Sequence, residues 1–271
     1  MRYILNAKYV RVTIVMLFTI YCSLFTASAQ VGDYRNDLAV GVNGGYVMSN
    51  VAFVTKVPQS QLGGITGGLT ARYTCEKYFS SICAVTAELN FAQIGWKEKI
   101  LDKQDQPVPL HTDPTRNLAY QRSMTYVQIP LLARLGWGRE RNGLQAFIHL
   151  GPQIGFFLNE KTTTNFDVRE DAFNPESKDY QYGSLRSSQV VAQDTMVVEN
   201  KFDYGIAVGA GLEFSNRHFG HFMIEGRYYY GLGNIYGNTK RDYFSRSNFG
   251  NIVIKCTYLF DVIRTKNSKI K

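Results

Sequence analysis

The sequence is poor in charged residues, cysteine and long apolar runs. Only 19% of its 271 residues are charged, whereas soluble domains usually carry about 25%. Beyond the first 29 residues, no segment approaches about 18 uninterrupted apolar residues, which excludes a bundle of membrane helices. Glycine (24), tyrosine (18) and phenylalanine (17) are frequent instead, which argues against a disordered chain, a coiled coil and a highly charged nucleic-acid-binding arm. These features predict one β-rich domain of ordinary size.

The first 29 residues have the three parts of a secretory signal peptide. Three basic residues precede an apolar run over 13–26, and the run ends in the small residues Ala27-Ser28-Ala29. A small-x-small triplet after a short apolar run is the site that signal peptidase cleaves. We therefore predict that residues 1–29 are a signal peptide and that Gln30 is the first residue of the mature chain.

The positive charge is concentrated at the two ends of the sequence. The formal net charge is +8, and the predicted signal peptide contains three of the 30 basic residues and none of the 22 acidic ones, so the mature chain carries 27 − 22 = +5. Residues 261–271 hold four basic residues and one acidic residue. A short basic tail, which we predict to be periplasmic, therefore accounts for most of the excess, and no nucleic acid is expected as a partner. The tail is either solvated or binds a partner or lipid.

Residues 202–214 alternate strictly between apolar side chains and small or acidic ones. A period of two indicates a β-strand with one apolar and one polar face. At about 3.3 Å per residue and a tilt near 40°, this strand spans roughly 30 Å of membrane height. Seven other segments alternate less regularly, and the predicted strands are 38–49, 63–76, 81–96, 122–137, 143–158, 201–214, 219–232 and 247–260.

The connections between these strands alternate in length. Short turns of four or five residues lie at 77–80, 138–142 and 215–218, and longer loops lie at 50–62, 97–121, 159–200 and 233–246. Outer-membrane barrels have an even number of strands, short periplasmic turns and long external loops. The sequence therefore predicts an all-β fold, an eight-stranded antiparallel up-and-down transmembrane β-barrel over 30–260, in the cell outer membrane with both termini periplasmic.

The charged residues of the predicted strands lie opposite the apolar stripe. A soluble lipocalin-type barrel would turn its apolar stripe inward, but here the signs of the charges nearly balance, which suits an enclosed interior. An eight-stranded barrel is just wide enough to be filled by side chains, and charges buried there need partners. We predict a polar network in the lumen that comprises Arg72, Glu88, Gln128, Arg134, His149, Gln153, Glu213, Glu225, Arg227 and Lys255.

Aromatic and proline residues refine this arrangement. Aromatic girdles are expected at both membrane interfaces. Because proline removes a donor from the ladder, we predict a shared bulge or kink where Pro130 and Pro152 come to the same level. The predicted inner girdle contains Trp137, Tyr258 and Phe260, and the outer girdle contains Trp96, Phe156, Phe157 and Tyr230.

Few residues are candidates for chemistry. Cys75 and Cys83 flank the turn at 77–80 and either form a disulfide or remain free thiols, since their spacing does not determine the Cα separation. The sequence has no C-x-x-C and no histidine partner at metal-ligand spacing. Of the histidines, His149 is a lumen residue, and His111, His218 and His221 are not placed as a base beside a nucleophile. We therefore predict no catalytic, cofactor-binding or metal-binding residues.

Two segments carry a family resemblance. Tyr126–Arg134 (YVQIPLLAR), followed after a tight turn by Phe147–Gly155 (FIHLGPQIG), resembles the PorT-like outer-membrane β-barrel family, and Gly209–Glu213 (GAGLE) also fits its pattern. The resemblance implies an eight-stranded barrel in the outer membrane. It also implies a link to type IX protein secretion, with which the name-giving member is associated. It brings no catalytic or ligand motif.

The 42-residue connection 159–200 is too long for a passive turn. We regard it as either an exposed binding surface or a variable loop without a partner.

The expected function is that of a non-enzymatic structural or accessory barrel linked to secretion, which contacts outer-membrane lipid and binds envelope or secretion proteins through 159–200 or the tail. The alternatives are a narrow channel or small-ligand binder and, third, a lipid-modifying enzyme. The acidic residues of the 159–200 connection, the candidate binding surface, include Asp167, Glu170, Asp171, Glu176, Asp179, Asp194 and Glu199.

Overall fold

A computed structural model describes most of residues 33–264. The predicted signal peptide, most of the basic tail and the middle of the 159–200 connection lie outside the described residues. Within the described ranges, no helix is both long and apolar enough to cross a membrane. The described ranges are 33–54, 56–78, 81–102, 104–110, 113–139, 142–168, 193–194, 196–216, 219–237 and 244–264.

The described residues form eight long strands and one short strand. Their period-two patterns and β-branched and aromatic residues favour extended backbone. The strands are β1 (Asp33–Val54), β2 (Gln59–Ser60), β3 (Leu62–Tyr78), β4 (Ser81–Lys99), β5 (Ala119–Gly138), β6 (Gly143–Thr164), β7 (Phe202–Asn216), β8 (Gly220–Gly231) and β9 (Arg246–Ile263).

The eight long strands close into a ring. Each pairs antiparallel with the next long strand along the chain, and β1 pairs with β9. The short strand β2 only pairs with the loop end of β4. A closed ring leaves no strand edge unpaired. The predicted eight-stranded antiparallel up-and-down barrel is therefore confirmed.

The two faces of the wall are the reverse of those of a soluble barrel. On β7 the outward residues Ile206 and Leu212 are 48% and 52% exposed, whereas Glu213 is 2% exposed inside the barrel. Outward apolar side chains recur on every long strand. A continuous exposed apolar band of this kind is unfavourable in water and is satisfied by lipid.

Several strands are longer than the sequence pattern predicts. β1 continues to Val54, so the first loop is residues 55–61 rather than 50–62. β6 continues to Thr164, and β9 continues to Ile263, three residues into the predicted tail. Beyond the apolar band, side chains no longer need to alternate, but neighbouring strands still supply backbone hydrogen bonds. Pairing therefore extends further than hydrophobic periodicity reveals.

Of the bulge or kink predicted at the prolines, the structure contradicts the bulge. Pro130 lies opposite Gln153, next to Pro152, so the two prolines are at the same level as expected. The register is the same on both sides of this point, because Ala133 still pairs with Leu150. The shift in register lies instead between Thr125 and Tyr126. Proline removes a hydrogen-bond donor but adds no residue, so the ladder is interrupted without being displaced.

The two aromatic girdles are only partly as predicted. Trp137, Tyr258 and Phe260 face outward near the turns, and Phe156 and Tyr230 face outward near the loops. Placement of two other residues on the outer surface was wrong. Trp96 is completely buried inside the barrel, and Phe157 packs against the same interior cluster. The alternation of β4 turns Trp96 inward, but because its side chain is apolar, the sequence analysis placed it on the surface that faces lipid.

The opposite orientations of the two tryptophans lead to a spectroscopic prediction. The sequence contains two tryptophans, so each single Phe variant reports on one site. In vesicles with brominated acyl chains, the fluorescence of Trp96→Phe, which keeps the outward Trp137, should be strongly quenched. The fluorescence of Trp137→Phe, which keeps the buried Trp96, should be quenched several-fold less. Equal quenching of both variants would contradict the assignment of the two faces.

Candidate functional site

The barrel interior carries the charged residues of the wall, arranged in two groups at different levels. Alternation along each strand turns every second side chain inward, so residues from different strands meet across the lumen. We call the first group the mid-barrel network (Glu88, His149, Glu225, Arg227 and Lys255) and the second the turn-end network (Arg72, Arg134, Glu213, His221 and Asp261).

Arg227 is the centre of the mid-barrel network. Its guanidinium donates to both carboxylate oxygens of Glu88, at 2.9 and 2.8 Å, and to Glu225 Oε1 at 2.7 Å. Lys255 Nζ lies 2.6 Å from Glu88 and 3.2 Å from Glu225. These four side chains are at most 4% exposed. Two anions and two cations therefore neutralise each other in a site that is buried from the bulk solvent.

Neutral polar groups surround this set. Asn90 Nδ2 donates to Glu88 Oε2 at 2.8 Å, and Asn43 Nδ2 donates to Asn90 and to Thr70 at 2.8 Å each. His149 Nδ1 lies 3.8 Å from Glu225 Oε2. The buried carboxylate of Glu88 thus accepts a hydrogen bond from a neutral group in addition to its ion pairs, which helps a buried charge to be tolerated.

The turn-end network is built around one carboxylate. Glu213 accepts hydrogen bonds from Arg72 Nη1 at 2.6 Å and from Arg134, and its Oε1 lies 2.7 Å from His221 Nδ1. The other ring nitrogen of His221 lies 3.0 Å from Asp261 Oδ1. The guanidinium of Arg134 also stacks 3.8 Å above the Phe147 ring, a cation–π contact. Five strands are cross-linked at this level.

All ten residues predicted to line the lumen are buried on inward faces of the strands. Eight of them take part in the two networks, and Gln128 and Gln153 are buried outside these ion pairs. The structure divides the predicted single network into two levels. Sequence reasoning did not include His221, Asp261 or Asn90 among the lumen residues, although His221 shares the parity of Glu225 and Arg227 and could have been found in that way.

Above the mid-barrel network the lumen is filled with apolar side chains, which were not predicted. We call this set the loop-end plug: Phe53, Trp96, Val198, Tyr236 and Phe244. The ring centroid of Phe53 lies 5.2 Å from the ring centroid of Trp96 and 4.5 Å from that of Phe244. Tyr236 and Phe244 belong to the connection between β8 and β9, so the described parts of this loop, 232–237 and 244–245, fold into the barrel mouth. Burial of these rings replaces water in the upper lumen.

Arg122 ties the long loops to the wall. Its guanidinium lies 2.7 Å from Glu160 and donates to the carbonyl oxygens of Gln193 and Met196, at 2.5 and 2.9 Å, and to Tyr236 Oη at 3.0 Å. This buried arginine therefore holds the end of the 165–201 connection and the β8–β9 loop together. Its inward parity on β5 was visible in the sequence, but three of its four partners, Gln193, Met196 and Tyr236, come from loops without periodicity.

Gln193 makes a second attachment of the same connection. Trp96 Nε1 donates to Gln193 Oε1 at 2.6 Å, and Gln193 Nε2 donates to Glu98 Oε2 at 2.6 Å. Gln193 is fully buried. The indole N–H and the amide of this buried pair are therefore satisfied, as buried polar groups require.

One small cavity lies inside the barrel wall. A cavity of about 30 Å³ lies at the turn end, beside Arg72, Arg134, His221 and Asp261. Such a volume holds about one water molecule, and drug-sized ligands occupy cavities at least about ten times larger. Among the residues that the structure describes, no group of three or more His, Cys, Asp and Glu residues could hold a metal ion.

Cys75 and Cys83 are free thiols in the structure, so the disulfide left open by the sequence is not formed there. A shift in register at Cys75 places Glu76 opposite Cys83. Both thiols face away from the lumen. Of the four histidines, His149 and His221 belong to the networks, and His111 and His218 lie outside the described residues.

Comparison with known proteins identifies a family and several solved structures to which the chain is similar. No curated protein matches the sequence. Solved structures that it resembles include the attachment invasion locus protein Ail of Yersinia pestis (16% identity, 82% of this chain and 98% of that chain covered, TM-score 0.33). Others are Neisserial surface protein A (8%, 82% and 97%, TM-score 0.37) and OprG of Pseudomonas aeruginosa (12%, 84% and 98%, TM-score 0.38). The family described as outer membrane protein beta-barrel domain matches residues 28–237. The chain belongs to this family and is an outer-membrane β-barrel protein.

Proposed function

We propose that this protein is a non-enzymatic barrel that serves as a structural or accessory component of the cell envelope and does not conduct solutes. The observation that carries the proposal is the filled lumen. Its charged side chains are used to cross-link the wall, and the loop-end plug covers them. A channel needs a continuous aqueous path, and a barrel enzyme needs a base and a nucleophile at an accessible rim.

We further propose that the protein is PorT-like and supports protein secretion. The two segments that resemble the PorT-like family are adjacent paired strands, β5 and β6. The long connection after β6 supplies the surface for partner proteins, because it is anchored at its end by Arg122 and Gln193. Both termini are periplasmic in this proposal, which is supported by the short turns at the end of the barrel where β1 begins and β9 ends.

Co-purification tests this proposal. The tagged protein is isolated from detergent-solubilised outer membranes, and bound proteins are identified by mass spectrometry. We expect envelope or secretion proteins with the native chain. Replacing 169–192 with a Gly-Ser segment of equal length should deplete them about tenfold or more, because the binding surface is removed. As a control, truncation after Arg264 tests whether the tail contributes. Identical sets of proteins from the native chain and both variants would contradict the proposal.

Electrical recording tests the closed lumen separately. In planar bilayers the purified protein should show no steady conductance, because the mid-barrel network and the loop-end plug fill the barrel in the described region. A reconstituted general porin serves as the positive control. Steady single-channel steps from the folded protein would favour the alternative of a narrow channel.

A further inference from the structure

One histidine at the turn end of the barrel joins three neighbouring strands. His221, the second residue of β8, lies between Glu213 on β7 and Asp261 on β9. Each of its ring nitrogens lies within hydrogen-bond distance of one carboxylate, Nδ1 of Glu213 and Nε2 of Asp261. The three side chains are at most 11% exposed. We call this arrangement the histidine bridge.

Both carboxylates of the histidine bridge are ionised and can only accept hydrogen bonds. Glu213 also accepts hydrogen bonds from two arginines, on β3 and β5, and Asp261 forms an ion pair with Arg264. A neighbouring guanidinium favours the ionised form of a carboxylate, which has no proton to donate. His221 must therefore donate from both nitrogens, and only the positively charged imidazolium can do so.

The other charged groups around His221 balance one another. Three arginines and three carboxylates belong to the turn-end network or line the adjacent cavity, so the proton on His221 is in excess of a neutral set. Carboxylates ordinarily titrate below about pH 5 and guanidinium groups above about pH 12, which leaves the imidazole to change its charge between these limits. The surrounding groups are Asp37 on β1, Arg72 on β3, Arg134 on β5, Glu213 on β7, Asp261 on β9 and Arg264 directly after β9, and the neutral Gln145 on β6 also lines the cavity.

The end of β9 is weakly attached to its two neighbouring strands. It pairs with β8 only as far as Leu259, opposite His221. Its pairing with β1 becomes irregular at the same level, because the register shifts between Leu38 and Ala39. The last three residues of β9 begin the basic tail, and the histidine bridge supplies a side-chain attachment at the first of them, Asp261.

We propose that the histidine bridge is a pH-sensitive switch that fixes the first residues of the basic tail to the barrel wall. When His221 loses a proton to the solvent, one ring nitrogen becomes an acceptor, and an acceptor cannot form a hydrogen bond to an ionised carboxylate. The contact with Asp261 is the one that breaks. Glu213 is 2% exposed and deep in the network, whereas Asp261 keeps Arg264 and lies beside a cavity of about 30 Å³, which has room for one water molecule.

The direction of the switch follows from the protonated state. The imidazolium stabilises the attached tail, so the attachment is complete at low pH and is lost as the pH rises through the titration of His221. Release adds residues 261–264 to the part of the tail that extends from the wall. At about 3.3 Å per residue, its reach grows by roughly 13 Å. The inference does not rest on the proposed function or on which side of the membrane the turns face.

Nitrogen NMR of the full chain in micelles, labelled at the histidine side chains, tests the protonation state. We expect both ring nitrogens of His221 to carry protons at about pH 6 and only Nδ1 to carry one at about pH 9. His221→Gln assigns the signal by removing it. A His221 ring with a single proton at about pH 6 would overturn the proposal.

Hydrogen–deuterium exchange, read by mass spectrometry and corrected for the intrinsic effect of pH, tests the release. Protection of the amides in 261–263 should fall at least about tenfold between about pH 6 and about pH 9, whereas protection in the middle of β9 should stay constant. Equal corrected protection of 261–263 at both pH values would contradict a switch.

Asp261→Asn is the matched variant, because an amide can accept from the imidazolium or donate to the neutral ring. Its protection should therefore stay within about twofold across the same pH range. His221→Gln, which cannot titrate, should show low protection at both pH values. A tenfold pH-dependent loss in either variant would assign the effect to another group, and high protection in His221→Gln would show that the bridge does not hold the strand end.

Discussion

Replacing Arg227 with leucine is expected to lower the free energy of unfolding by about 3–5 kcal/mol, the usual cost of removing one partner from a buried ion pair. Arg227 makes three hydrogen bonds to two carboxylates, and Lys255 alone cannot neutralise both Glu88 and Glu225. The measurement is urea unfolding in micelles, followed by the gel mobility that distinguishes folded from unfolded barrels.

Two further variants isolate the cause of this loss. Arg116→Leu removes an arginine whose side chain is 76% exposed, and it should change the stability by less than about 0.5 kcal/mol. Adding Glu225→Gln to Arg227→Leu should restore part of the lost stability, because Lys255 then neutralises the one remaining carboxylate, that of Glu88. If Arg227→Leu unfolds at the same urea concentration as the parent, the mid-barrel network does not stabilise the barrel.

The second large effect concerns the local stability of the long loops rather than the global stability of the barrel. Arg122→Met keeps an apolar stem but removes the donors to two loop carbonyl groups and to Tyr236, and it leaves Glu160 without its partner. Hydrogen bonds from charged groups contribute about 1.5–3 kcal/mol each. A loss of about 2 kcal/mol in local stability corresponds to roughly 30-fold faster cleavage within 165–201 by an added protease.

Lys161→Met is the matched control for this experiment. Lys161 is adjacent to Glu160 but faces outward, so its replacement removes a positive charge from the same stretch without touching the attachment. Its cleavage rate should equal that of the parent. Unchanged proteolysis of Arg122→Met would show that Gln193 and the apolar contacts hold the loop without the arginine.

The candidate site could be predicted from the sequence in some respects and not in others. The inward position of Arg227 follows from the parity of β8, because the side chains of a strand alternate strictly. Its partner Glu88 lies 139 residues away in the sequence, and no local pattern connects the two. Trp96 illustrates the reverse error, since apolar character suggested lipid where parity and packing place it in the lumen.

The loops were the least predictable part of the molecule. Length alone indicated that 159–200 is not a passive turn, but the attachment of Gln193 to Trp96 and Glu98 depends on side chains from the wall. Loops have no periodicity to read, and their conformation is set by the surface on which they fold. The closed upper lumen could therefore be recognised only when loop and wall were seen together.

The amino-acid sequence by itself determined the number of strands, their antiparallel order and which face meets lipid, because a strand places alternate residues on opposite sides and short turns join only neighbours. Only the tertiary structure decided which inward-facing charged residues form ion pairs with each other and that these pairs form two networks instead of one. It also decided that residues of the loops close the mouth of the barrel. These choices depend on distances across the lumen, which are set by how the eight strands tilt and stagger when the ring closes.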